Sequence, residues 1–322
     1  LRCSWHVVMS EEPPRISTEH QGGSQMSALD TIRGKVGLWS FAHESLPPSR
    51  CAEAPALAEE LGYAAYWTPE AVGREAMSSS SLLLGGTSSI VIGTDIAQIW
   101  ARDPIAAFKG AQTLSGAFGD RFILGLGVSH APIVESRGHV YERPLAAMRS
   151  YLGAMKASAT RAVEADERVP ILIAALGPKM LDLAASAADG ALPYLVAPEH
   201  TAGARDILGP DAFLSVEQGV VLSEDSSWAE VARGHLSTYL QLPNYRNSFL
   251  RQGFSEADLD DGGSDLLVDA IIAHGDEAAI YARVEEHFAA GADHVAIQIL
   301  NSDFASPPYE DWKRLRPSEN GR

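Results

Sequence analysis

A histidine that directly follows a nearly all-apolar segment is the clearest candidate for chemistry in this sequence. Residues 122–128 read FILGLGV, and Ser129 and His130 interrupt the apolar run. A short run of this kind is typical of a parallel strand that is buried on both faces. Ligands bind at the carboxyl ends of such strands, so we expect Ser129 and His130 to face a ligand site.

A second candidate site lies between a predicted strand and a predicted helix, at Leu176, Gly177, Pro178 and Lys179. Glycine lets the backbone approach a ligand closely, and proline is favoured at the first position of a helix. The free amides and the dipole at the start of a helix can hold a phosphate, to which Lys179 would add positive charge. The alternative is an ordinary turn with a surface lysine.

An alternation of strands and helices must position these residues. Eight βα units over the chain predict a closed (β/α)8 barrel, known as a TIM barrel. An open doubly wound sheet is the alternative, which the absence of Gly-x-Gly-x-x-Gly after the first strand disfavours. Residues 223–275 break the alternation and predict a helical insertion after strand seven that covers the barrel mouth. The predicted strands are 35–41, 64–68, 90–96, 122–128, 171–174, 191–195, 213–222 and 294–299.

The residues that follow the predicted strands form a wide, partly aromatic pocket with few titratable groups. Trp39, Glu70 and Asp95 come at the ends of the first three strands, and Trp100 follows a few residues later. Such a pocket suits a flat organic cofactor better than a metal ion. The ten histidines are scattered, and the sequence has no Gly-x-Ser-x-Gly motif. Neither a metal site nor a Ser-His-Asp triad is therefore predicted.

Composition and charge exclude several classes of partner. The 322 residues carry a formal net charge of −17, which disfavours nucleic acid and anionic membranes as partners. No apolar run reaches the length of about 18–20 residues that a membrane span needs. Two cysteines in the whole chain fit a reducing cytoplasm. Residues 1–30 are interpreted as a disordered tail, and residues 31–322 as a single barrel domain.

Six segments, in order, resemble the luciferase-like superfamily of flavin- and deazaflavin-dependent oxidoreductases. The similarity is greatest to the members that use the deazaflavin coenzyme F420, and it spans residues 35 to about 301. Each motif alone is modest, but their order and their places after successive strands make the set specific. The segments are Val36 to Trp39, Tyr66 to Glu70, Gly93 to Pro104, Leu124 to Pro132, Ala174 to Lys179 and Leu242 to Asn247.

This resemblance implies a TIM barrel with coenzyme F420 in its mouth, or FMN as the alternative cofactor. The third strand would carry a bulge with a non-prolyl cis peptide at Asp95-Ile96, which supports the cofactor ring. The ring would also be lined by Gly127, Val128 and Ser129. The phosphate would be held by Leu176, Gly177, Pro178 and Lys179. Members are often dimeric, so a homodimer is expected.

The resemblance also implies the reaction, a hydride transfer between the deazaflavin C5 and a small organic substrate. We hypothesise that His130 relays a proton to or from that substrate. Trp39 is expected near the ring or the substrate, and Glu70 is a second candidate, although Ala71 stands where the family often has a histidine. An FMN-dependent monooxygenase and a barrel that binds a ligand without turnover are the alternatives. Substrate contacts are expected from Trp100, Asn244, Tyr245 and Asn247.

Overall fold

A closed barrel of parallel strands forms the centre of the computed structural model, which describes residues 26–71, 73–159, 169–223, 225–301, 307–318 and 321. The strands in chain order are β1 Lys35–Trp39, β2 Ala65–Thr68, β3 Val91–Thr94, β4 Ala97–Gln98, β5 Phe122–Gly127, β6 Ile171–Ala174, β7 Gly190–Leu192, β8 Phe213–Val221, β9 Ala273–His274 and β10 His294–Ile299. Parallel pairing joins β1, β2, β3, β5, β6, β7, β8 and β10 in that order, and β10 also pairs with β1. The ring is therefore closed, which confirms the predicted (β/α)8 barrel over the open sheet.

Helices surround this barrel and begin where the sequence places proline or a capping side chain. Asp103 accepts hydrogen bonds from the amides of Ile105 and Ala106, and Pro104 is the first residue of its helix. The helices in chain order are α1 Ala28–Ile32, α2 Ala42–Ser45, α3 Glu53–Glu60, α4 Ala76–Gly85, α5 Pro104–Ala117, α6 Ala131–Ser136, α7 Pro144–Ala159, α8 Pro178–Ala187, α9 Pro198–Leu208, α10 Trp228–Tyr239, α11 Pro243–Arg251, α12 Asp265–Ile271, α13 Glu277–Ala289 and α14 Tyr309–Arg314.

The first of these helices corrects the boundary of the expected tail. Residues 28–30 were assigned to the tail, but they belong to α1, which Ser27 caps through a hydrogen bond from the amide of Asp30. Ala28 and Ile32 are buried against the barrel. A helix of five residues is too short to show a hydrophobic period in the sequence. Of the rest of the assigned tail, residues 26 and 27 directly precede this helix and residues 1–25 lie outside the described residues.

The third barrel strand is interrupted by a bulge, as the resemblance implied. Gly93 on β3 pairs with Ile123 on β5, whereas Ala97 on β4 pairs with Leu126, so the β3–β4 side holds one extra residue between the two pairs. The peptide bond between Asp95 and Ile96 within this stretch is cis. The predicted strand 90–96 is therefore divided into β3 and β4.

The stretch predicted as an insertion contains α10, α11, α12 and the short strand β9, which pairs with the end of β8. Leu236, Leu240 and Phe249 are buried in one apolar cluster that also includes Trp39 of β1 and Leu172 of β6. The insertion is therefore packed onto the carboxyl end of the barrel rather than projecting into solvent. In the described part of the chain, no helix is both long enough and apolar enough to cross a membrane.

Candidate active site

A cavity of about 580 Å³ opens where the carboxyl ends of the strands meet the insertion. Its size falls in the range that cofactor and substrate sites occupy. The lining comes from residues after β1, β2, β3, β5, β6 and β7 and from α10 and α11. Among the predicted site residues, the structure brings these together around it: Trp39, Glu70, Asp95, Ile96, Gly127, Val128, Ser129, His130, Leu176, Gly177, Asn244, Tyr245 and Asn247.

Three predicted site residues do not line the cavity. The Trp100 indole N–H donates to the carbonyl of Val128 at 2.8 Å, so this side chain supports the end of β5 from behind. Pro178 and Lys179 form the exposed first turn of α8. The sequence pattern located the start of this helix, but not the direction in which its side chains point. Direct contacts of Trp100 with a substrate and of Lys179 with a phosphate are therefore not supported.

The bulge after β3 forms part of the cavity wall and is held by residues from three strands. The indole N–H of Trp39 donates to the carbonyl of Asp95 at 3.2 Å, and the amide of Glu70 donates to the carbonyl of Ile96 at 3.1 Å. A Cβ atom on Gly127 would lie 2.3 Å from Cγ1 of Ile96. Glycine at this position of β5 therefore leaves room for the bulge to pack against the strand.

Glu70 lines the cavity, but its carboxylate is already engaged by protein groups. Its side chain is 1% exposed and forms an ion pair with Arg102, whose Nη1 lies 3.1 Å from Oε2. The amide of Gln98 also donates to Oε2 at 2.7 Å. A carboxylate with these partners is held in one place. Its geometry indicates a positioning role for the bulge rather than the acid–base role considered from the sequence.

His130 follows β5 and lines the cavity with an imidazole that has unused hydrogen-bonding capacity. Burial lowers the pKa of His130 below its usual value, so the ring is neutral at neutral pH. Its Nδ1 atom is buried and has no hydrogen-bond partner among the described residues. The ring lies 5.7 Å from that of Tyr245 on α11, centroid to centroid. A neutral imidazole in this position can give a proton to a bound molecule or take one from it.

A group of tyrosines, which we call the tyrosine wall, comprises Tyr194, Tyr239 and Tyr245 and lines the side of the cavity near the insertion. The Tyr194 hydroxyl donates to Oε1 of Gln298 at 2.7 Å and lies 3.0 Å from the Tyr239 hydroxyl and 3.2 Å from Nε2 of His235. The Tyr194 hydroxyl has a single proton, which it donates to Gln298. The Tyr239 hydroxyl and Nε2 of His235 must therefore both donate to the Tyr194 oxygen. The hydroxyl of Tyr239 is therefore left with acceptor capacity only.

Two buried carboxyl groups lie close to this wall. Burial raises the pKa of Asp95 to about 8 and that of Glu217, on β8, also to about 8. Repulsion from Asp95 adds to the shift of the Glu217 pKa, while a hydrogen bond from the amide of Leu195 opposes it. Both groups are therefore mostly protonated at neutral pH. Glu217 was not predicted from the sequence, because all nine residues of β8 are buried and show no alternation.

Arg251, at the end of α11, is the only lysine or arginine among the described residues that line the cavity. A Cβ atom on Gly177 would lie 3.3 Å from Nη2 of Arg251. The guanidinium forms no ion pair or hydrogen bond with a described residue. Partial burial lowers the pKa of Arg251. No sequence pattern predicts a role for this residue, since its position depends on how the insertion packs.

These residues fit a planar organic cofactor with a phosphate. The bulge, Gly127, Val128 and Ser129 present backbone and small or apolar side chains to one cavity, and the start of α8 provides amides beside Arg251. His130 adds a polar atom without a protein partner. The fold and the site thus define a TIM barrel with a ligand cavity at the carboxyl ends of its strands.

Comparison with known proteins places the chain in a family. Residues 33–294 match the sequence model of the luciferase-like monooxygenase family, so the chain belongs to that family. It is 32% identical over 197 residues to a Mycobacterium tuberculosis protein named as a coenzyme F420-dependent oxidoreductase, covering 51% of this chain and 56% of the relative. It is 31% identical over 164 residues to the 5,10-methylenetetrahydromethanopterin reductase of Methanolobus tindarius, covering 45% and 50%. The matches thus span about half the length of these relatives.

Solved structures show the same fold at low sequence identity. An F420-dependent secondary alcohol dehydrogenase, in complex with an F420–acetone adduct, superposes with a TM-score of 0.68 at 15% identity, over 88% of this chain and 97% of that one. The FMN-bound oxygenating constituent of 3,6-diketocamphane monooxygenase from Pseudomonas putida gives 0.64 at 13% identity, over 88% and 96%. The same fold is therefore found in an F420-dependent enzyme and in an FMN-bound one.

Proposed function

We propose that the chain is an oxidoreductase that uses coenzyme F420 to move a hydride to or from a small organic substrate. The observation that carries this proposal is the neutral His130, which lines the cavity with an unpartnered Nδ1 atom. The name of the Mycobacterium tuberculosis relative, a coenzyme F420-dependent oxidoreductase, supports the choice of cofactor. Coenzyme F420, when bound, supplies a carbon centre for two-electron hydride transfer, without a requirement for oxygen.

The chain's own residues have separate tasks in this proposal. The bulge at Asp95 and Ile96, with Gly127 and Val128, holds the ring system of the cofactor. The barrel and the insertion exclude water from the cavity. His130 gives a proton to the substrate in the reducing direction and takes one in the oxidising direction. Trp39 keeps the bulge in place through its hydrogen bond to the carbonyl of Asp95.

We further propose that the substrate is uncharged and largely apolar. Its side of the cavity is formed by Phe41, Leu242 and the tyrosine wall. The carboxylate of Glu70 is paired with Arg102, and His130 is neutral. A charged substrate would lose its hydration here without gaining a partner of opposite charge, which costs several kcal/mol. Asn244 and Asn247 offer amide groups for one or two polar atoms of the substrate.

The experiment that tests the cofactor is a titration of purified, cofactor-free protein with coenzyme F420 and, separately, with FMN. We expect the bound cofactor to quench the fluorescence of the protein, and we expect coenzyme F420 to bind more tightly than FMN. Tighter binding of FMN than of coenzyme F420 would favour an FMN-dependent monooxygenase. This is the second candidate because the diketocamphane enzyme has the same barrel fold and binds FMN. Binding of neither cofactor would contradict both candidates and favour a barrel that binds another ligand.

A further inference from the structure

We propose that Tyr239, on α10 of the insertion, accepts a hydrogen bond from the substrate and thereby selects a molecule that carries a hydroxyl or N–H group. This donor group is separate from the group that exchanges a proton with His130. The inference deepens the proposed function and rests on it, because it concerns the substrate of the same site. The direction of the hydrogen bonds in the tyrosine wall carries it.

The hydroxyl of Tyr194 fixes the direction of these hydrogen bonds. It lies 2.7 Å from Oε1 of Gln298, which is the usual length for a hydroxyl that donates to an oxygen and is short for an amide N–H in its place. The single proton of Tyr194 therefore goes to Gln298. Burial raises the pKa of Tyr194 well above its usual value, so the hydroxyl keeps this proton.

The Tyr194 oxygen must then accept from its two other neighbours. Nε2 of His235 lies 3.2 Å from it, and the Tyr239 hydroxyl lies 3.0 Å from it. Burial lowers the pKa of His235 to about 4, so its ring is neutral and carries a single N–H. Because Tyr194 has no second proton to give, the N–H of His235 is on Nε2, and the proton of Tyr239 also points to Tyr194.

The Tyr239 oxygen is thus left as an acceptor without a donor. Apart from the contact with Tyr194, no hydrogen bond joins it to a described residue. The ring of Tyr245 lies 4.9 Å away, centroid to centroid, but its hydroxyl does not bond to Tyr239. Burial raises the pKa of Tyr239, so the hydroxyl stays protonated and offers lone pairs rather than a negative charge.

Such an oxygen discriminates between groups that donate and groups that only accept. An ether or carbonyl oxygen placed against Tyr239 would bring lone pairs together, and both oxygens would lose water without gaining a hydrogen bond. A hydroxyl or N–H group meets the same oxygen with a proton. The wall therefore favours a donor at this point of the substrate.

The donor group lies at a different place from the group that reacts. The ring of His130 contacts that of Tyr245 at 5.7 Å, and the ring of Tyr245 contacts that of Tyr239, whereas no ring contact joins His130 to Tyr239. All three residues line the cavity. A substrate that reaches both His130 and Tyr239 therefore extends past Tyr245 and carries polar groups at two separate points.

The test uses two molecules that differ in one hydrogen-bonding atom. Indole donates through its N–H, whereas benzofuran has nearly the same shape and an oxygen that can only accept. Isothermal titration calorimetry gives the dissociation constant of each molecule for the protein saturated with coenzyme F420, and also for the cofactor-free protein. Tyr239→Phe and Tyr194→Phe are compared with the wild type. Tyr281→Phe is the control, because the hydroxyl of Tyr281 donates to the carbonyl of Leu315 away from the cavity.

We expect the wild type to bind indole about 3–10-fold more tightly than benzofuran, the contribution of one hydrogen bond. Tyr239→Phe removes the acceptor, so the two molecules should bind within twofold of each other. Tyr194→Phe removes the oxygen that holds the Tyr239 proton, so Tyr239 can donate as well as accept. In this variant benzofuran should gain affinity, and the preference for indole should fall to within twofold. Tyr281→Phe should keep the preference of the wild type.

Other outcomes would overturn the inference in recognisable ways. Equal affinity of the wild type for indole and benzofuran would mean that the wall does not select a donor, and the proposed function would stand if coenzyme F420 still bound. Weakening of both molecules by the same factor in Tyr239→Phe would reduce this tyrosine to a support of the cavity wall. Failure of the wild type to bind either molecule would also contradict the inference. Failure to bind coenzyme F420 would contradict the proposed function instead, since the cofactor-free titrations measure the donor preference separately.

Discussion

The imidazole of His130 and the phenol ring of Tyr245 lie 5.7 Å apart across the junction of barrel and insertion. His130 follows β5, whereas Tyr245 belongs to α11 and is 6% exposed. Arg251 ends the same helix six residues later, about 9 Å further along its axis. One helix of the insertion thus reaches from His130, the proposed proton carrier, to Gly177 at the start of α8. A substrate held between His130 and Tyr245 would contact the barrel on one side and the insertion on the other.

Replacement of His130 tests the proton transfer. We expect His130→Ala to reduce kcat about 10²–10⁴-fold, the usual contribution of a general acid or base. The affinity for coenzyme F420 should stay within threefold, because the ring site is formed by other residues. Because burial lowers the pKa of His130, the oxidising activity of the wild type should persist below pH 6.5 and fall only at lower pH, where the ring becomes protonated. Steady-state rates against pH, with cofactor titrations, measure both effects.

A small effect would remove His130 from the mechanism. Less than threefold loss of kcat in His130→Ala, with cofactor binding intact, would leave only a structural role for this ring. His130→Gln serves as a second variant, since its amide can form hydrogen bonds but cannot carry the proton.

Removal of a single hydroxyl tests the substrate side of the cavity. The Tyr245 hydroxyl has no hydrogen bond to a described residue, so it is free to bind a substrate. We expect Tyr245→Phe to raise the KM for the substrate about 3–10-fold, because the substrate would lose one hydrogen bond. The affinity for the cofactor should change little. Tyr281→Phe is the control, because its hydroxyl donates to the carbonyl of Leu315 away from the cavity. Equal KM values in wild type and Tyr245→Phe would contradict a substrate contact through this hydroxyl.

The barrel could be predicted because its strands are short apolar runs separated by helices. The bounds of β6 and β10 agree with the sequence prediction to the residue. The two-residue strands β4 and β9 could not be found, since two residues carry no hydrophobic period. The predicted strand 191–195 ends early, at Leu192, because Pro193 follows and has no amide to donate to a neighbouring strand.

Position along the chain made the candidate site predictable where a residue directly follows a strand, whereas Asn244, Tyr245 and Asn247 of the insertion were predicted through the family resemblance. His130 and Gly177 line the cavity because every parallel strand ends at the same rim. Tyr194 obeys the same rule after β7 and could have been found by it. Lys179 and Trp100 do not line the cavity, since the direction of a side chain within a helix or turn depends on its phase. Tyr239 and Arg251 depend on the tertiary packing of the insertion, which local sequence does not encode.

The ion pair between Glu70 and Arg102 predicts a loss of stability rather than of chemistry. Glu70→Gln would leave the guanidinium of Arg102, only 10% exposed, with Glu75 as its remaining carboxylate partner. We expect the free energy of unfolding to fall by about 2–4 kcal/mol, somewhat less than for a buried charge left wholly unpaired. Urea denaturation of Glu70→Gln, Arg102→Met and the double variant measures the coupling between the two. Unchanged stability of Glu70→Gln, together with a large fall of its kcat, would instead return Glu70 to the reaction.

Glu217 predicts an unusual dependence of stability on pH. In the unfolded chain its carboxyl ionises near pH 4.5, whereas in the folded protein burial raises the pKa to about 8. The unfolded state therefore binds fewer protons between these values, so this group makes the folded protein less stable as pH rises. Glu217→Gln resembles the protonated acid and keeps an oxygen to accept the amide of Leu195. The variant should gain stability over the wild type by up to about 1.4 kcal/mol per pH unit in this range. Urea denaturation from pH 5 to pH 8.5 measures the difference, and parallel curves for the two proteins would show that Glu217 is ionised in the folded state at neutral pH.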